Sequence, residues 1–381
     1  MESQVNQKQR QGTRGRVVIY GGGVGGAQPA KRLSGKAEVV LVDPLDYFEV
    51  PMAAPRIMVQ PDFAERAIMS FAEALPTVKH VRAKLVELRI DGGLIETPDG
   101  ERSLISGDVA ILATGSRFAS ELVRGIEGSG SSRKAFYARF HDRLRSARRV
   151  LIVGGGPIGV EIAGELSETW PDRAITILEA GPRVLSGTSE KAAAYAAGVL
   201  TKRGVTIITD DRLEGHQHNP GEIFAPGGEA RTVAGRQISY DLLLWCVGGR
   251  PATSYLLEHF GHTLNDKGQV RVAPDLRVVG QEGLFALGDI TDLVENKMAW
   301  VASGHAGVAA GNILALLSGN HAKLKTYKAK TGNPMMAVTL GRHHGVSHLP
   351  SPIGVVRASW FNRKIKADQM MVPMVRKAFG L

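Results

Sequence analysis

The stretch spanning residues 16–33, RVVIYGGGVGGAQPAKRL, has the pattern of a buried strand that turns sharply into a helix. Its apolar run, residues 17–20, is followed by the motif G-x-G-x-x-G. In this motif the first glycine permits a tight turn, the second lets the backbone approach a pyrophosphate, and the third lets the helix pack closely on the strand. The N–H groups at the helix N-terminus then face the phosphates. The predicted ligand contacts are Gly21, Gly22, Gly23, Val24, Gly25 and Gly26.

An acidic residue completes this unit. A second apolar run, residues 39–42, ends in Asp43, which lies 17 residues after Gly26. A carboxylate at this strand end can accept hydrogen bonds from the hydroxyls of a ribose. Glycine-rich turns alone are common, but the strand, the glycine turn, the helix and the acid together predict a dinucleotide site.

The same arrangement occurs a second time in the chain. Residues 149–159, RVLIVGGGPIG, form a strand and a G-x-G-x-x-G turn, and the apolar run 174–178 ends in Glu179, 20 residues after the last glycine. Two glycine turns that merely pack strands are an improbable alternative, because both units carry the acid. Two complete units predict two dinucleotides, and the usual pair is a flavin and a nicotinamide dinucleotide, between which a hydride passes. The predicted contacts of the second unit are Gly154, Gly156, Gly159 and Glu179.

Three further buried strands end in small residues. They lie in residues 108–116 (DVAILATGS), 240–249 (YDLLLWCVGG) and 283–289 (GLFALGD). A strand end without bulky side chains lets the backbone pass close to a flavin, and the aspartate of the third strand can bind ribityl hydroxyls. The second strand mirrors the first, which supports a duplicated architecture. The predicted contacts here are Thr114, Gly115, Gly248, Gly288 and Asp289.

Two charged side chains are each open to two interpretations. Arg56 follows the first unit in the sequence PMAAPRIM and is either a partner of the pyrophosphate or a surface arginine. Glu161 lies in the helix after the second glycine turn. It either approaches the nicotinamide or serves as a partner of the helix dipole.

The length predicts two or three domains, and the two repeated units predict an α/β protein with two dinucleotide-binding domains and a small C-terminal α+β segment. The chain has 381 residues, of which 43% are hydrophobic and 22% charged, as in ordinary globular proteins. The predicted boundaries are a disordered tail (1–15), a discontinuous FAD domain (16–118 and 241–320), an NAD(P)H domain (119–240) and a basic C-terminal segment (321–381).

The cysteine count, the N-terminus and one apolar stretch indicate the cellular compartment expected for the protein. The chain has one cysteine, Cys246, which excludes a disulfide within the chain and fits a reducing, cytoplasmic compartment. The polar N-terminus lacks the apolar core of a secretory signal, and Glu2 excludes N-myristoylation, which requires glycine. Residues 298–322 contain no Lys, Arg, Asp or Glu, but their polar and small residues favour a buried helix over a membrane span.

Positive charge is concentrated at the C-terminus. Residues 321–381 contain eleven Lys or Arg against one acid, Asp368, so this segment alone equals the net charge of +10 of the chain. A basic amphipathic end can contact a membrane, although a solvated basic face and methionines that fill core gaps are alternatives. No aromatic stacking platform or metal-ligand spacing occurs, so neither a nucleic acid nor a metal is predicted.

Together these motifs resemble the pyridine nucleotide–disulfide oxidoreductase superfamily. Within it they are most similar to the branch of apoptosis-inducing-factor homologue 2, also called ferroptosis suppressor protein, which is related to type II NADH dehydrogenases. The resemblance covers roughly residues 16–318, with further likeness at 335–346. It is carried by GGGVGG, Asp43, AAPRIMV, LATGS, GGGPIGVE, Glu179, CVGGRP, LFALGD, NKMAW and MAVTLGRHHGV.

The resemblance implies an α/β fold with two nested Rossmann-type domains. It also implies an enzyme that holds FAD non-covalently, oxidises NADH or NADPH and reduces quinones. It implies FAD contacts at the first glycine turn, Asp43, Arg56 and Asp289, and a backbone contact near Leu85. It also places Glu161 near the nicotinamide and Lys297 near the isoalloxazine, which makes both catalytic candidates. Members that work at membranes often carry an N-myristoyl group, from which Glu2 departs.

The chemistry predicted from the residues follows from the single cysteine and from Glu179. Disulfide reductases of this fold need a pair of cysteines, so electrons must leave the reduced flavin directly. Glu179 favours NADH over NADPH, and Arg183 softens that preference. Two alternatives remain open: an NADH-sensing flavoprotein that acts by binding, and a reductase of a protein electron acceptor. The oligomeric state is not predicted.

Overall fold

The computed structural model describes residues 15–117, 125, 128–215, 224–331, 335–349 and 352–381. Apart from Gly15, the tail predicted to be disordered lies outside the described residues. The chain forms two compact units, each built from three stretches of sequence. The first takes residues up to 48, 70–116 and 251–329, and the second takes 49–69, 117–250 and 330–381.

The core of the first unit is a five-stranded parallel sheet. Its strands lie in the order Leu284–Ala286, Val109–Leu112, Arg16–Tyr20, Glu38–Asp43 and Lys79–Arg82. Apolar runs form the first four of these strands because a parallel sheet is covered on both faces, whereas the edge strand Lys79–Arg82 is polar and partly exposed. An antiparallel sheet of Lys84–Arg89, Gly92–Glu96 and Arg102–Ile105 accompanies it. The helices of this unit are Val24–Leu33, Phe71–Ala74, Leu257–Phe260 and Ala299–Leu317.

The second unit repeats this plan with a four-stranded parallel sheet. Its order is Thr206–Ile208, Ala174–Leu178, Arg149–Val153 and Leu242–Trp245. Antiparallel ribbons are formed by Gly228–Arg231 with Gln237–Tyr240, and by Met336–Thr339, Gly345–Leu349 and Gly354–Val356. Its helices are Ala54–Val59, Ala64–Ala67, Gly130–Ser146, Pro157–Thr169, Glu190–Lys202, Ser359–Asn362 and Val372–Phe379, with a π-helical turn at Arg363–Ala367.

The duplication is visible in the pairing of the strands. Arg16–Tyr20 lies between the strand that carries Asp43 and Val109–Leu112, and Arg149–Val153 lies between the strand before Glu179 and Leu242–Trp245. Because the strands are parallel, the glycine turn and the strand-end acid of each unit emerge at the same edge of its sheet. This edge is where open α/β sheets bind ligands.

The structural division differs from the boundaries predicted from sequence at three places. Residues 49–69 group with the second unit, although residues 16–118 are predicted for the first domain. Leu242–Trp245 pairs with Arg149–Val153 and so belongs to the second sheet, although residues 241–320 are predicted for the first domain. Residues 330–381 group with the second unit rather than forming a separate segment. Short strands lie where the chain passes from one unit to the other: Tyr47–Glu49, Ile68–Ser70, Ser116–Arg117 and Arg250–Pro251.

The apolar helix Ala299–Leu317 belongs to the first unit. Among the described residues it is the one helix long and apolar enough to cross a membrane, by length and composition only. Its polar side chains are satisfied inside the unit: Ser303 donates to Gln28 at 2.6 Å, and the amide of Asn312 donates to the carbonyl of Lys325 at 2.9 Å. Such pairing is typical of a helix in a protein core.

Candidate dinucleotide-binding sites

The first glycine turn is shaped so that side chains are excluded at two positions. Gly21 has a φ of +104°, and a Cβ on it would lie 2.4 Å from the carbonyl oxygen of Ala113. A Cβ on Gly26 would lie 1.8 Å from the carbonyl oxygen of Gly21. The backbone can therefore make this tight turn from strand to helix only with glycine at both positions.

The second turn has the same geometry. Gly154 has a φ of +108°, and its Cβ would lie 2.8 Å from the carbonyl oxygen of Cys246. A Cβ on Gly159 would lie 2.0 Å from the carbonyl oxygen of Gly154. The two turns thus match residue for residue, with Cys246 at the position that Ala113 holds in the first unit.

Each predicted acid also holds its own glycine turn in place. The N–H of Gly22 donates to Asp43 Oδ2 at 2.5 Å, and the N–H of Leu45 donates to Oδ1 at 2.9 Å. Asp43 is 1% exposed, so the turn and the following loop share a buried carboxylate. The sequence predicts the acid at the strand end but not these two bonds.

Glu179 makes the equivalent bonds in the second unit. The N–H of Gly155 donates to Oε2 at 2.6 Å, and the N–H of Gly181 donates to Oε1 at 2.8 Å. In both units the donors are the second glycine of the turn and the residue two places after the acid. Each carboxylate therefore fixes the rim of a phosphate cradle and can still accept further hydrogen bonds, as ribose recognition requires.

The residues present fit two bound dinucleotides. The helices Val24–Leu33 and Pro157–Thr169 begin after Gly23 and Gly156, so no N-cap side chain competes for their first N–H groups. A Cβ on Gly156 or on Gly248 would meet nothing within 4 Å, which leaves open space beside the backbone. Free N–H groups, helix dipole and open space are the features that a pyrophosphate needs.

A buried network supports the turn at Gly288 and Asp289 in the first unit. The N–H of Gly288 donates to His305 Nδ1 at 3.0 Å, and the other ring nitrogen of His305 lies 2.8 Å from Glu295. Since Nδ1 accepts, the proton of a neutral ring is assigned to Nε2. Burial lowers the pKa of His305, although Glu295 acts in the opposite direction. The hydroxyl of Tyr327 also donates to Glu295, at 3.0 Å.

Asp289 and Lys297 make separate hydrogen bonds close to this network in the sequence. Asp289 accepts from the hydroxyl of Ser116 at 3.1 Å. Lys297 Nζ donates to the carbonyls of Thr291 and Leu293 at 2.8 and 3.0 Å, so it braces the loop between them. Burial lowers the pKa of Lys297. Whether it also contacts a flavin stays a prediction.

The other predicted contacts of the first unit lie at or near strand ends. The hydroxyl of Thr114 donates to the carbonyl of Ala252 at 2.8 Å, and Gly115 has a φ of +66°. Leu85 is buried within its strand, where its side chain packs beside Gly93. Their roles as cofactor contacts stay predictions, as do those of all the other residues predicted to contact a cofactor.

Glu161 and Glu165 each bind a cationic side chain inside the second unit. Glu161 accepts from Lys366 Nζ at 2.5 Å and from the N–H of Thr339 at 2.9 Å. Glu165 accepts two bonds from Arg56, at 2.7 and 2.8 Å. The sequence interpretation missed both cationic partners, because Arg56 and Lys366 are more than 100 residues away along the chain.

The pair formed by Arg56 and Glu165 is almost completely buried, with side chains 2% and 1% exposed. Arg56 also donates to the carbonyl of Ala367 at 2.9 Å, which ties the π-helical turn to the same charge pair. Burial raises the pKa of Glu165, and the guanidinium of Arg56 opposes that rise. Arg56 is therefore not a surface arginine, and its predicted contact with a pyrophosphate remains to be tested.

Cys246 has the environment of a structural thiol. It is 8% exposed, and burial raises its pKa to about 12. Because the thiolate is the reactive form, this thiol is inert at neutral pH. Together with the absence of a second cysteine from the sequence, this excludes a redox disulfide within the chain.

Two parallel sheets, each with a glycine turn and a strand-end acid, define a protein with two Rossmann-type dinucleotide-binding domains, as the sequence predicts. The chain belongs to the pyridine nucleotide-disulphide oxidoreductase family, whose model matches residues 15–311. FAD and NAD(P)H are the cofactors of this family, so the predicted pair is confirmed. The protein is accordingly an NAD(P)H-dependent flavoprotein oxidoreductase.

The chain is similar to two named proteins over most of its own length and most of theirs. Apoptosis-inducing factor homolog B of Dictyostelium discoideum is 28% identical over 374 residues, covering 94% of this chain and 95% of the relative. Ferroptosis suppressor protein 1 of Homo sapiens is 27% identical over 343 residues, covering 87% and 88%. The predicted resemblance to apoptosis-inducing-factor homologues and ferroptosis suppressor proteins is thereby confirmed.

Solved structures show the same fold. NDH2 from Plasmodium falciparum, solved in complex with NADH, has a TM-score of 0.74 and 13% identity, with 95% of this chain and 97% of that chain covered. A NAD-dependent persulfide reductase from A. fulgidus has a TM-score of 0.70 and 17% identity, with 88% and 64% covered. At these identities the likeness concerns the fold alone.

The buried charge pair gives a prediction that separates structural from cofactor roles of Arg56. Arg56→Met leaves a buried carboxylate without its cation and should lower the free energy of unfolding by about 3 kcal/mol, whereas Arg56→Met with Glu165→Met should recover most of it. Denaturant titration measures both. Arg148→Met, which breaks an exposed pair with Asp172, is the control and should cost about 1 kcal/mol or less.

Flavin content, read from the visible spectrum of the same variants, completes this test. Loss of FAD from the double variant despite restored stability would support a contact between Arg56 and the cofactor. Full retention of FAD in the double variant would contradict that contact and leave Arg56 a structural role. An unchanged stability of the single variant would contradict the buried pair itself.

Proposed function

We propose that the protein passes hydride from NAD(P)H to FAD and electrons onward to a quinone-type acceptor, without a redox disulfide. The observation that carries the disulfide-free route is the lone, buried Cys246 with its raised pKa. The proposed acceptor rests on the resemblance to the ferroptosis suppressor and type II NADH dehydrogenase branches. FAD, when bound, supplies the step between two-electron oxidation of NAD(P)H and reduction of the acceptor.

In this proposal the side chains of the protein bind and orient, and none acts as a nucleophile. The first turn and Asp43 hold the FAD, and Asp289 is placed to bind ribityl hydroxyls. The cation of Lys297 favours negative charge on the ring. Lys366 Nζ and the N–H of Thr339 both donate to Glu161, so its role toward the nicotinamide would be that of a carboxylate held in a fixed position.

Coenzyme preference is proposed to rest on Glu179, which would bind the 2′-hydroxyl of NADH and repel the 2′-phosphate of NADPH. Arg183 is committed elsewhere: its guanidinium donates to the carbonyls of Leu185 and Thr188, each at 3.0 Å. An arginine held on backbone carbonyls is poorly placed to reach a phosphate. We therefore infer that NADH is preferred over NADPH, with less softening by Arg183 than the sequence predicts.

Glu179→Gln tests this preference, because the amide oxygen can still accept from one of the two N–H groups, Gly155 or Gly181, while the negative charge is removed. The ratio of kcat/KM for NADPH to that for NADH should rise about tenfold, equivalent to about 1.4 kcal/mol. Steady-state kinetics with both coenzymes measure it. A wild-type enzyme that already works much better with NADPH would contradict the assignment of Glu179.

The acceptor is tested by steady-state NADH oxidation with a series of quinones, using wild type and Cys246→Ala. Alanine is the residue that the first unit has at the equivalent position, so the variant should fold and turn over within about twofold of wild type. A loss of turnover in Cys246→Ala with FAD retained would contradict a disulfide-free route.

The same assay separates the alternatives. Flavin reduction by NADH without turnover on any quinone would favour an NADH-sensing protein, and turnover only after addition of a protein fraction would favour a protein acceptor. Rapid turnover with quinones alone supports the proposal.

Peripheral contact with a membrane is part of the proposal. Near the C-terminus Trp360 and Met374 are 71% and 57% exposed and lie beside exposed Lys364 and Lys377 in the sequence. Apolar side chains flanked by cations suit the interface of an anionic bilayer. Val375 on the same helix is buried, so the helix packs on the unit with one face and presents the other.

Liposome sedimentation tests this contact. Trp360→Gln with Met374→Gln should bind vesicles of phosphatidylcholine and phosphatidylserine several-fold less than wild type, because the apolar side chains that enter the interface are removed. Ile90→Gln, at a position 93% exposed outside this segment, is the matched control and should bind like wild type. Equal binding by all three proteins would remove the membrane contact from the proposal.

A further inference from the structure

A cavity of about 790 Å³ lies within the second unit, apart from its glycine turn. One wall is the N-terminal part of the helix Glu190–Lys202, and the other is the antiparallel hairpin of Gly345–Leu349 and Gly354–Val356. The volume is in the range of cavities that bind small organic molecules. Its lining residues are Ser189, Lys191, Ala194, Tyr195, His348, Ile353, Gly354, Val355 and Arg357.

His348 is the observation that points to a ligand. The side chain is only 6% exposed, it lines the cavity, and its Nδ1 has no hydrogen-bond partner in the described part of the chain. A buried polar atom without a partner is costly, so native proteins rarely keep one without a reason. This nitrogen is itself closed to solvent, so the ring must turn toward the cavity before a ligand oxygen can bond to it and remove the cost.

The other polar groups of the cavity favour a negative ligand. Lys191 and Arg357 both line it, and neither forms an ion pair with an acid among the described residues. The guanidinium of Arg357 lies 5.9 Å from the ring centroid of Tyr195, which holds it against the wall. Glu190, the acid of the same helical turn, does not line the cavity.

The helix adds its dipole to these charges. It has 13 residues and begins after Ser189, whose side chain caps it by accepting from the N–H of Ala192. The positive end of the dipole is therefore at the cavity wall. Ala194, Ile353 and Val355 add an apolar part to the lining, and Ile353 is 64% exposed, so a ligand with an apolar portion would cover it.

We propose that this cavity binds a phosphate monoester that carries an apolar group, with the phosphate between Lys191, Arg357 and His348. Inorganic phosphate alone would occupy a small part of the volume, whereas a short-chain phosphatidic acid has both the charge and the apolar portion. Free phosphate esters and the headgroup of a membrane lipid share this chemistry. Glu179 is not among the residues that line the cavity, so this site differs from the coenzyme site. The proposal does not depend on which acceptor the enzyme reduces.

Isothermal titration of the full-length, FAD-loaded protein with dihexanoyl phosphatidic acid, and separately with inorganic phosphate, tests the proposal. Wild type should bind the lipid analogue saturably and more tightly than phosphate. Lys191→Gln and Arg357→Gln should each weaken binding at least tenfold. Lys202→Gln, which removes one charge from the other end of the same helix, should not change it.

His348→Leu provides a second variant. An apolar side chain at this position removes the unpartnered nitrogen, so the protein should be at least as stable as wild type while affinity for the probe falls. Binding to phosphatidylcholine vesicles that contain phosphatidic acid, if lost in Lys191→Gln, identifies a membrane lipid as the source. Binding of the soluble probe alone identifies a free ester.

Three results would overturn the proposal. The first is the absence of saturable binding of either probe by wild type. The second is equal binding by wild type, Lys191→Gln and Arg357→Gln. The third is displacement of the probe by NADH with the same affinity in all variants, which would place binding in the coenzyme site.

Discussion

A hydrogen bond from the second glycine of a turn to the acid at the end of the next strand is the interaction on which both halves of this protein depend. It joins Gly22 to Asp43 in the first unit and Gly155 to Glu179 in the second. Each bond fixes the backbone that must cradle a phosphate, and it places the carboxylate where a ribose would lie. The same bond in both units is the clearest mark of the duplicated plan.

Local chemistry is what the sequence predicts well. Gly21 and Gly26 must be glycine because a Cβ would collide with the neighbouring backbone, and such a requirement is visible in the residues themselves. Apolar runs between turns likewise give the parallel strands. The cationic partners of Glu161 and Glu165 were not predictable, because Lys366 and Arg56 reach them through packing that joins distant parts of the chain.

The helix after the second glycine turn also holds the C-terminal part of the chain in place. Its glutamates bind the C-terminal residues of the same unit: Glu161 holds Lys366, and Glu168 accepts from the N–H of Arg342 at 2.9 Å. The basic C-terminus predicted as an independent segment is thus anchored by buried or half-buried carboxylates, and only part of its charge faces solvent. In the first unit His305 and Glu295 give similar support to the turn at Gly288, through a network that no sequence motif announces.

The central claim is that one chain holds FAD and a nicotinamide coenzyme in its two cradles, and anaerobic titration of the purified protein with NADH tests it most directly. The account predicts a yellow protein with one FAD per chain, whose visible flavin absorbance is bleached by one equivalent of NADH. A colourless protein that cannot be reconstituted with FAD, or a flavin that NADH does not reduce, would contradict it.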